Sequence, residues 1–278
     1  ITGGMGGIST SILTWLAEKE IKQVVLLGRN EPSTELKELL KDLPININTK
    51  KCDISSYSEL KSTLLEIKTE FKHITGTINL AGVINDKPLL TQVQSDFDDT
   101  FNSKVYGLNN IFDCLEEIDL KPEVFINFSS IASIIGNKNQ ANYASANAYQ
   151  DYFSALSNQL GFSFYNINWS IWNEVGMINQ LSDISKKAIE SIGINPINKE
   201  KALNILDFIL SNDIKSSIAL DIDLNKAKTY FLKSPKFAYL FANLPKLIEN
   251  TKELILNSEN LNYEKWLLDW LSEKLNKE

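Results

Sequence analysis

Hydroxyl-bearing residues at two places in the chain raise the first chemical possibility. Ser129 and Ser130 end an apolar run, Val124 to Phe128, that reads as a buried strand. Tyr143 opens a small-residue helical pattern after a loop rich in Gly, Asn and Gln. A serine at a strand end and a phenol at a helix start can meet over one substrate carbonyl, the phenol donating a proton and the serine a hydrogen bond. Tyr143 and Asn147 are four residues apart and share a helix face. Such a pair needs a hydride source and a cation. Lys104, at the middle of the helical pattern Asp96 to Leu115, is one cation within the chain, although a lysine on an amphipathic helix is ordinarily solvated.

The hydride source is sought at the start. ITGGMGG carries Gly3, Gly4, Gly6 and Gly7 ahead of a helical pattern, Ile8 to Trp15, and a short strand, Val24 to Leu27. Glycines before a helix let a pyrophosphate approach the backbone, and the helix N-terminus offers free N–H groups. The spacing is Gly4-x-Gly6-x-x-Ser9, with serine at the third glycine of the usual fingerprint; a tight turn with no ligand is the competing reading. The strand ends Gly28-Arg29 where an NAD site would place an acid. A guanidinium suits a 2′-phosphate, so the expected cofactor is NADPH. Asp53, ending the next strand, either accepts from the adenine amino group or caps the helix beginning near Ser55.

These residues need a frame. Glu35 to Leu43 and Ser58 to Phe71 read as amphipathic helices, and Ile45 to Lys51 and Ile74 to Leu80 as strands. Phe164 to Trp169 and Ser217 to Asp221 are further strands, with a helix over Lys199 to Leu210. The alternation predicts an α/β fold, a doubly wound parallel sheet with helices on both faces, Rossmann-like. Ile178 to Ile192 is a candidate lid. The expected organisation is a domain over 1–235, a linker over 236–263, and an amphipathic helix over 264–278.

Bulk properties narrow the function. The 278 residues are 43% hydrophobic and 23% charged, an ordinary globular balance. The net charge of -7 argues against non-specific nucleic-acid binding. No apolar run has the length of a membrane span, and the start, ITGG, does not read as a signal peptide. Cys52 and Cys114 have no metal-ligand spacing and read as reduced thiols of a cytoplasmic protein; the single histidine, His73, reads as a surface residue. The start, inside a motif and without Met, suggests a piece of a longer polypeptide.

TGGMGG, LLGR, CDIS, NLAGV, SKVYG, NFSSIAS, GNKNQANYASANA and WSIWNEVGM together resemble the ketoreductase domains of modular polyketide synthases, within the short-chain dehydrogenase/reductase superfamily. The likeness covers about residues 1 to 225. It implies NADPH-dependent reduction of a β-ketoacyl thioester on the phosphopantetheine arm of an acyl carrier protein domain, beside neighbouring synthase domains. Ser130, Tyr143, Lys104 and Asn147 take the catalytic places. Ser130 stands 13 residues before Tyr143, and lysine and asparagine are exchanged relative to the free-standing Tyr-x-x-x-Lys pattern. On this analogy Lys104 lowers the phenol pKa and Asn147 orients Lys104 or a water. Gly3, Gly4, Met5, Gly6, Arg29, Asp53, Asn79, Ala81 and Gly82 are assigned to the cofactor. Asp86, Ile135, Gln140 and Met177 are assigned to the substrate and its stereochemistry. Asp86 keeps the last residue of a Leu-Asp-Asp loop, and Ile135 stands where A-type members place Trp, so a B-type, (3R) product is expected. Departures are Ser9 and WSIW in place of WGxW. Most of the first strand and the preceding structural subdomain of the family are missing, so the piece is expected to fold poorly alone. The tail resembles the start of a carrier domain. The alternatives are a non-catalytic NADPH-binding module of a synthase and a free-standing carbonyl reductase.

Overall fold

The computed structural model describes residues 1–159, 161–173, 191–223 and 225–227. The chain divides into two compact units, Ile1–Asp223 and Leu224–Glu278, and the following concerns the first. Met177, nearly all of the candidate lid, and the expected linker and tail helix lie outside the described residues.

The first half alternates as its apolar periodicity dictates: α1 (Gly7–Glu18), β1 (Gln23–Gly28), α2 (Thr34–Asp42), β2 (Asn46–Lys51), α3 (Tyr57–Phe71) and β3 (Gly76–Asn79). A loop with a 3-10 turn at Leu89–Thr91 leads into α4 (Gln94–Phe101). The helix then passes through a π-helical turn, Asn102–Tyr106, into α5 (Gly107–Glu117). β4 (Val124–Ser130), a short α6 (Ala132–Ile135), α7 (Ala141–Gln159) and β5 (Phe164–Trp169) follow. β6 (Ile194–Asn195), α8 (Lys199–Ser211), β7 (Ser216–Ala219) and β8 (Asp221–Ile222) complete the described unit.

β2 and β1 pair in parallel, as do β3, β4, β5 and β7 in that order. Thr2 joins the two sets, bridging Leu27 at the end of β1 and Asn79 at the end of β3. The parallel, doubly wound sheet is therefore as expected. The small antiparallel pair β6–β8 is an addition that two-residue strands gave no periodicity to reveal.

β4 is buried from Phe125 to Ser129 because helices cover both its faces. Ile126 and Phe128 pack with Ile12 and Trp15 of α1 and with Leu203 and Leu206 of α8. Phe125 packs oppositely, with Leu60 and Leu64 of α3 and Leu108 and Ile111 of α5. Where Asp96 to Leu115 promised one α-helix, the π-turn interrupts it. Its wider ring lies at Lys104 itself, and such turns recur at functional sites.

Candidate active site

The two pattern-bearing segments meet at the carboxyl end of the sheet. Asn142 fixes the entry to α7. Its Oδ1 accepts from the Tyr143 N–H (2.9 Å), and its amide nitrogen donates to the carbonyls of Asn85 and Asp96, each at 2.9 Å, and to Thr100 Oγ1 (3.2 Å). Tyr143 is thereby set against the loop that carries Asp86. A cavity is lined by Ser130, Tyr143, Lys104, Gly82, Ile135 and Gln140, so these expected site residues do converge.

Ser130 ends β4 and its Oγ accepts from the Ala132 N–H (3.2 Å), which fixes its rotamer. Ser129 faces the other way and donates to Asp151 at 2.7 Å. Tyr143 is buried, and burial pushes its phenol up. The side chains of Ser130 and Asn147 oppose that shift, and Asp86 adds to it. The Nζ of Lys104, the cation expected to lower this phenol, lies 5.5 Å from the Tyr143 ring centroid.

Lys104 is 2% exposed. Burial lowers its ammonium to about 8, with Asp151 pulling the other way. Gly82 makes room for it, since a Cβ there would sit 3.0 Å from Lys104 Cε. Asn147 does not contact the lysine by hydrogen bond. Its Nδ2 donates to the main-chain oxygen of Tyr143 (2.8 Å), and its buried Oδ1 has no partner among the described residues.

In the cavity wall Gln140 donates to Asp86, which is not itself among the lining residues, at 3.0 Å and accepts from Asn137 (2.9 Å). Burial raises the Asp86 carboxyl, and the Gln140 bond opposes that. Ile135, at the end of α6, contributes an apolar wall.

A second cleft of about 500 Å³ shares Ile8, Leu80 and Gly82 with the first and is lined by Gly3, Met5, Gly6, Arg29, Asp53 and Ala81. Gly3 has φ +67°, and a Cβ there would come within 2.7 Å of the Ala81 nitrogen, so only glycine fits. Gly6 N-caps α1 without a side-chain cap, which leaves first-turn N–H groups for an anion. The donor set and the exposed Arg29 at the rim therefore fit a nicotinamide dinucleotide. Gly4 is absent from this lining and packs on the Leu26 side chain. Ser9 donates to the Gly6 carbonyl at 2.6 Å, which satisfies the hydroxyl where a glycine is usual. Asp53 accepts from the N–H and hydroxyl of Ser55 (2.9 and 2.8 Å) in a turn ahead of α3, whose N-cap is Ser56 and not Asp53.

Asn79 is buried rather than lining the cleft, for a reason sequence reasoning missed. Its Oδ1 accepts from Thr2 Oγ1 (2.6 Å), and its Nδ2 donates to Asn127 (2.7 Å). Asn127 donates to Asn166 (2.7 Å), and Asn166 donates to Asp151 (2.7 Å). Strand register places the three asparagines side by side on β3, β4 and β5. The signal was present as an asparagine next to an isoleucine in each strand, a residue type strands disfavour.

Comparison with known proteins agrees with this geometry. The family model described as "KR domain" matches residues 1–174. Polyketide synthase PksN of Bacillus subtilis is 30% identical over 217 residues, 74% of this chain and 4% of that protein. The squalestatin tetraketide synthase of a Phoma species is 28% identical over 216 residues, 76% of this chain and 8% of that protein. This chain thus spans a small part of the relatives it matches. The crystal structure of a ketoreductase domain from the bacillaene assembly line superposes with TM-score 0.77 at 26% identity, covering 82% of this chain and 57% of that one. The parallel sheet, the paired cavities and these matches lead to one assignment: the chain belongs to the KR-domain family, the ketoreductases of polyketide synthases.

Proposed function

We propose that this chain uses NADPH to reduce the 3-keto group of a β-ketoacyl thioester held on an acyl carrier protein, giving mainly the (3R) alcohol. The observation that carries the reading is the convergence of Ser130, Tyr143 and Lys104 on one cavity that shares a wall with the glycine-lined cleft. When bound, NADPH supplies the hydride for the carbonyl carbon. Ser130 Oγ hydrogen-bonds the carbonyl oxygen as negative charge grows there, and Tyr143 gives that oxygen its proton. Burial keeps Tyr143 in its protonated form, and the growing negative charge on the substrate oxygen draws the proton from it. Lys104 ammonium offsets the phenolate left behind, and the unpartnered Asn147 Oδ1 is available to the proton path that restores it. Arg29 at the cleft rim supports the choice of NADPH over NADH.

Gln140, held by Asp86, and the apolar Ile135 support the B-type outcome, because they give the cavity one polar and one apolar wall. The test is NADPH oxidation with a β-ketoacyl thioester, with chiral analysis of the alcohol. Tyr143→Phe is expected to abolish reduction while NADPH affinity stays near wild type. Activity surviving within about tenfold would require another proton donor. A mostly (3S) product would overturn the stereochemical assignment.

A further inference from the structure

A buried ammonium on a flexible stem needs polar partners to hold one position. Asn147 is not among them. The partners of Lys104 Nζ are the Phe128 carbonyl at 3.1 Å and Gln150 Oε1 at 3.3 Å. Gln150 is fully buried, and its Nε2 donates at 3.1 Å to the main-chain oxygen of Lys104. One side chain therefore grips the lysine at both its backbone and its ammonium. Gln150 lies seven residues after Tyr143 on α7, about two turns on and on the same face.

We propose that Gln150 is a positioning residue for the reduction: it fixes the reach of Lys104 beside Tyr143, and does so with a neutral oxygen that leaves the ammonium charge unpaired for the phenolate. This rests on the roles of Lys104 and Tyr143 in the proposed function. The π-turn and α7 both take part, since the main-chain oxygen that Gln150 holds belongs to the π-turn. The titratable groups acting on the pair come from α7 and the loop after β3. Asp151 acts on Lys104, and Asp86 acts on Tyr143. β4 contributes the neutral Phe128 carbonyl, and the turn after β3 contributes Gly82. A carboxylate at position 150 would instead form an ion pair with the lysine.

The test compares wild type with Gln150→Leu and the nearly isosteric Gln150→Glu. It measures kcat against pH with a β-ketoacyl thioester, NADPH affinity by fluorescence, and the Lys104 titration by NMR of labelled lysine. In wild type, reduction should fall as pH rises through the region where Lys104 loses its proton. Gln150→Leu should lower kcat about tenfold with NADPH affinity within about twofold, and move the alkaline limb down. Gln150→Glu should move that limb up, because a carboxylate favours the ammonium. A merely structural glutamine would change thermal stability without moving the limb. If both variants keep the wild-type kcat and limb, the proposal falls while the reductase reading stands. If wild type itself does not reduce the thioester, the reductase reading fails and the Lys104 titration decides the grip. A raised midpoint in Gln150→Glu supports it, and an unchanged midpoint overturns it.

Discussion

Lys104 shows how one residue's setting defines its chemistry. A lysine in the middle of an amphipathic helix is usually solvated, yet this one is buried with neutral partners on its ammonium and a depressed pKa. Its charge is therefore costly where it stands, which is the condition under which a nearby phenolate is most strongly favoured. Arg29 is the contrasting case, an exposed cation whose use depends on what the cleft receives. Arg29→Ala is expected to weaken NADPH by about tenfold or more while changing NADH little, a difference worth roughly 1.4 kcal/mol or more. Titration of both nucleotides by fluorescence checks this. Equal losses would remove the 2′-phosphate assignment.

Among the elements, the three central strands do more than carry the core. Asn79, Asn127 and Asn166 cross β3, β4 and β5 as a buried amide ladder from Thr2, beside the glycine loop, to Asp151 near the serine end of β4. Asp151 also gathers Ser129 (2.7 Å) and Asn168 (2.8 Å). Every rung is satisfied, so removal of one strands its neighbours. Asn127→Ala should cost about 3 kcal/mol, because a donor on Asn79 and an acceptor on Asn166 lose their buried partner. Urea denaturation measures it, and a loss below about 1 kcal/mol would mean that water replaces the rung. The π-turn is the second element of consequence, since it is the segment on which Lys104 enters the site.

At the scale of the molecule, β4 and β5 are each paired on both sides, whereas β2, among the described residues, is paired only with β1. Amides of β2 are expected to exchange hydrogen faster than those of β4 and β5, by tenfold or more for each ~1.4 kcal/mol difference in local stability. Hydrogen exchange read by mass spectrometry checks it. Uniform protection across these strands would show that β2 is as stable as the centre. Among the described residues no helix is long and apolar enough to cross a membrane, and no cluster of His, Cys, Asp and Glu could hold a metal.

The sequence alone determined what depends on local pattern. Apolar periodicity decided the alternation of strands and helices, and the glycines decided the cleft, since φ +67° at Gly3 admits nothing else. The spacing of Ser130, Tyr143 and Asn147 marked one end of β4 and one face of α7. Tertiary structure alone decided what depends on residues far apart in the chain. Asn147 reads as a group that orients Lys104 or a water; its amide nitrogen bonds to its own helix, and the side chain that holds the lysine of the π-turn is Gln150. Asn79 reads as a cofactor ligand, yet strand register consumes it in the amide ladder. Periodicity records which face of an element is buried; it does not record which buried polar groups find one another, and that pairing sets the charge and reach of the groups in the site.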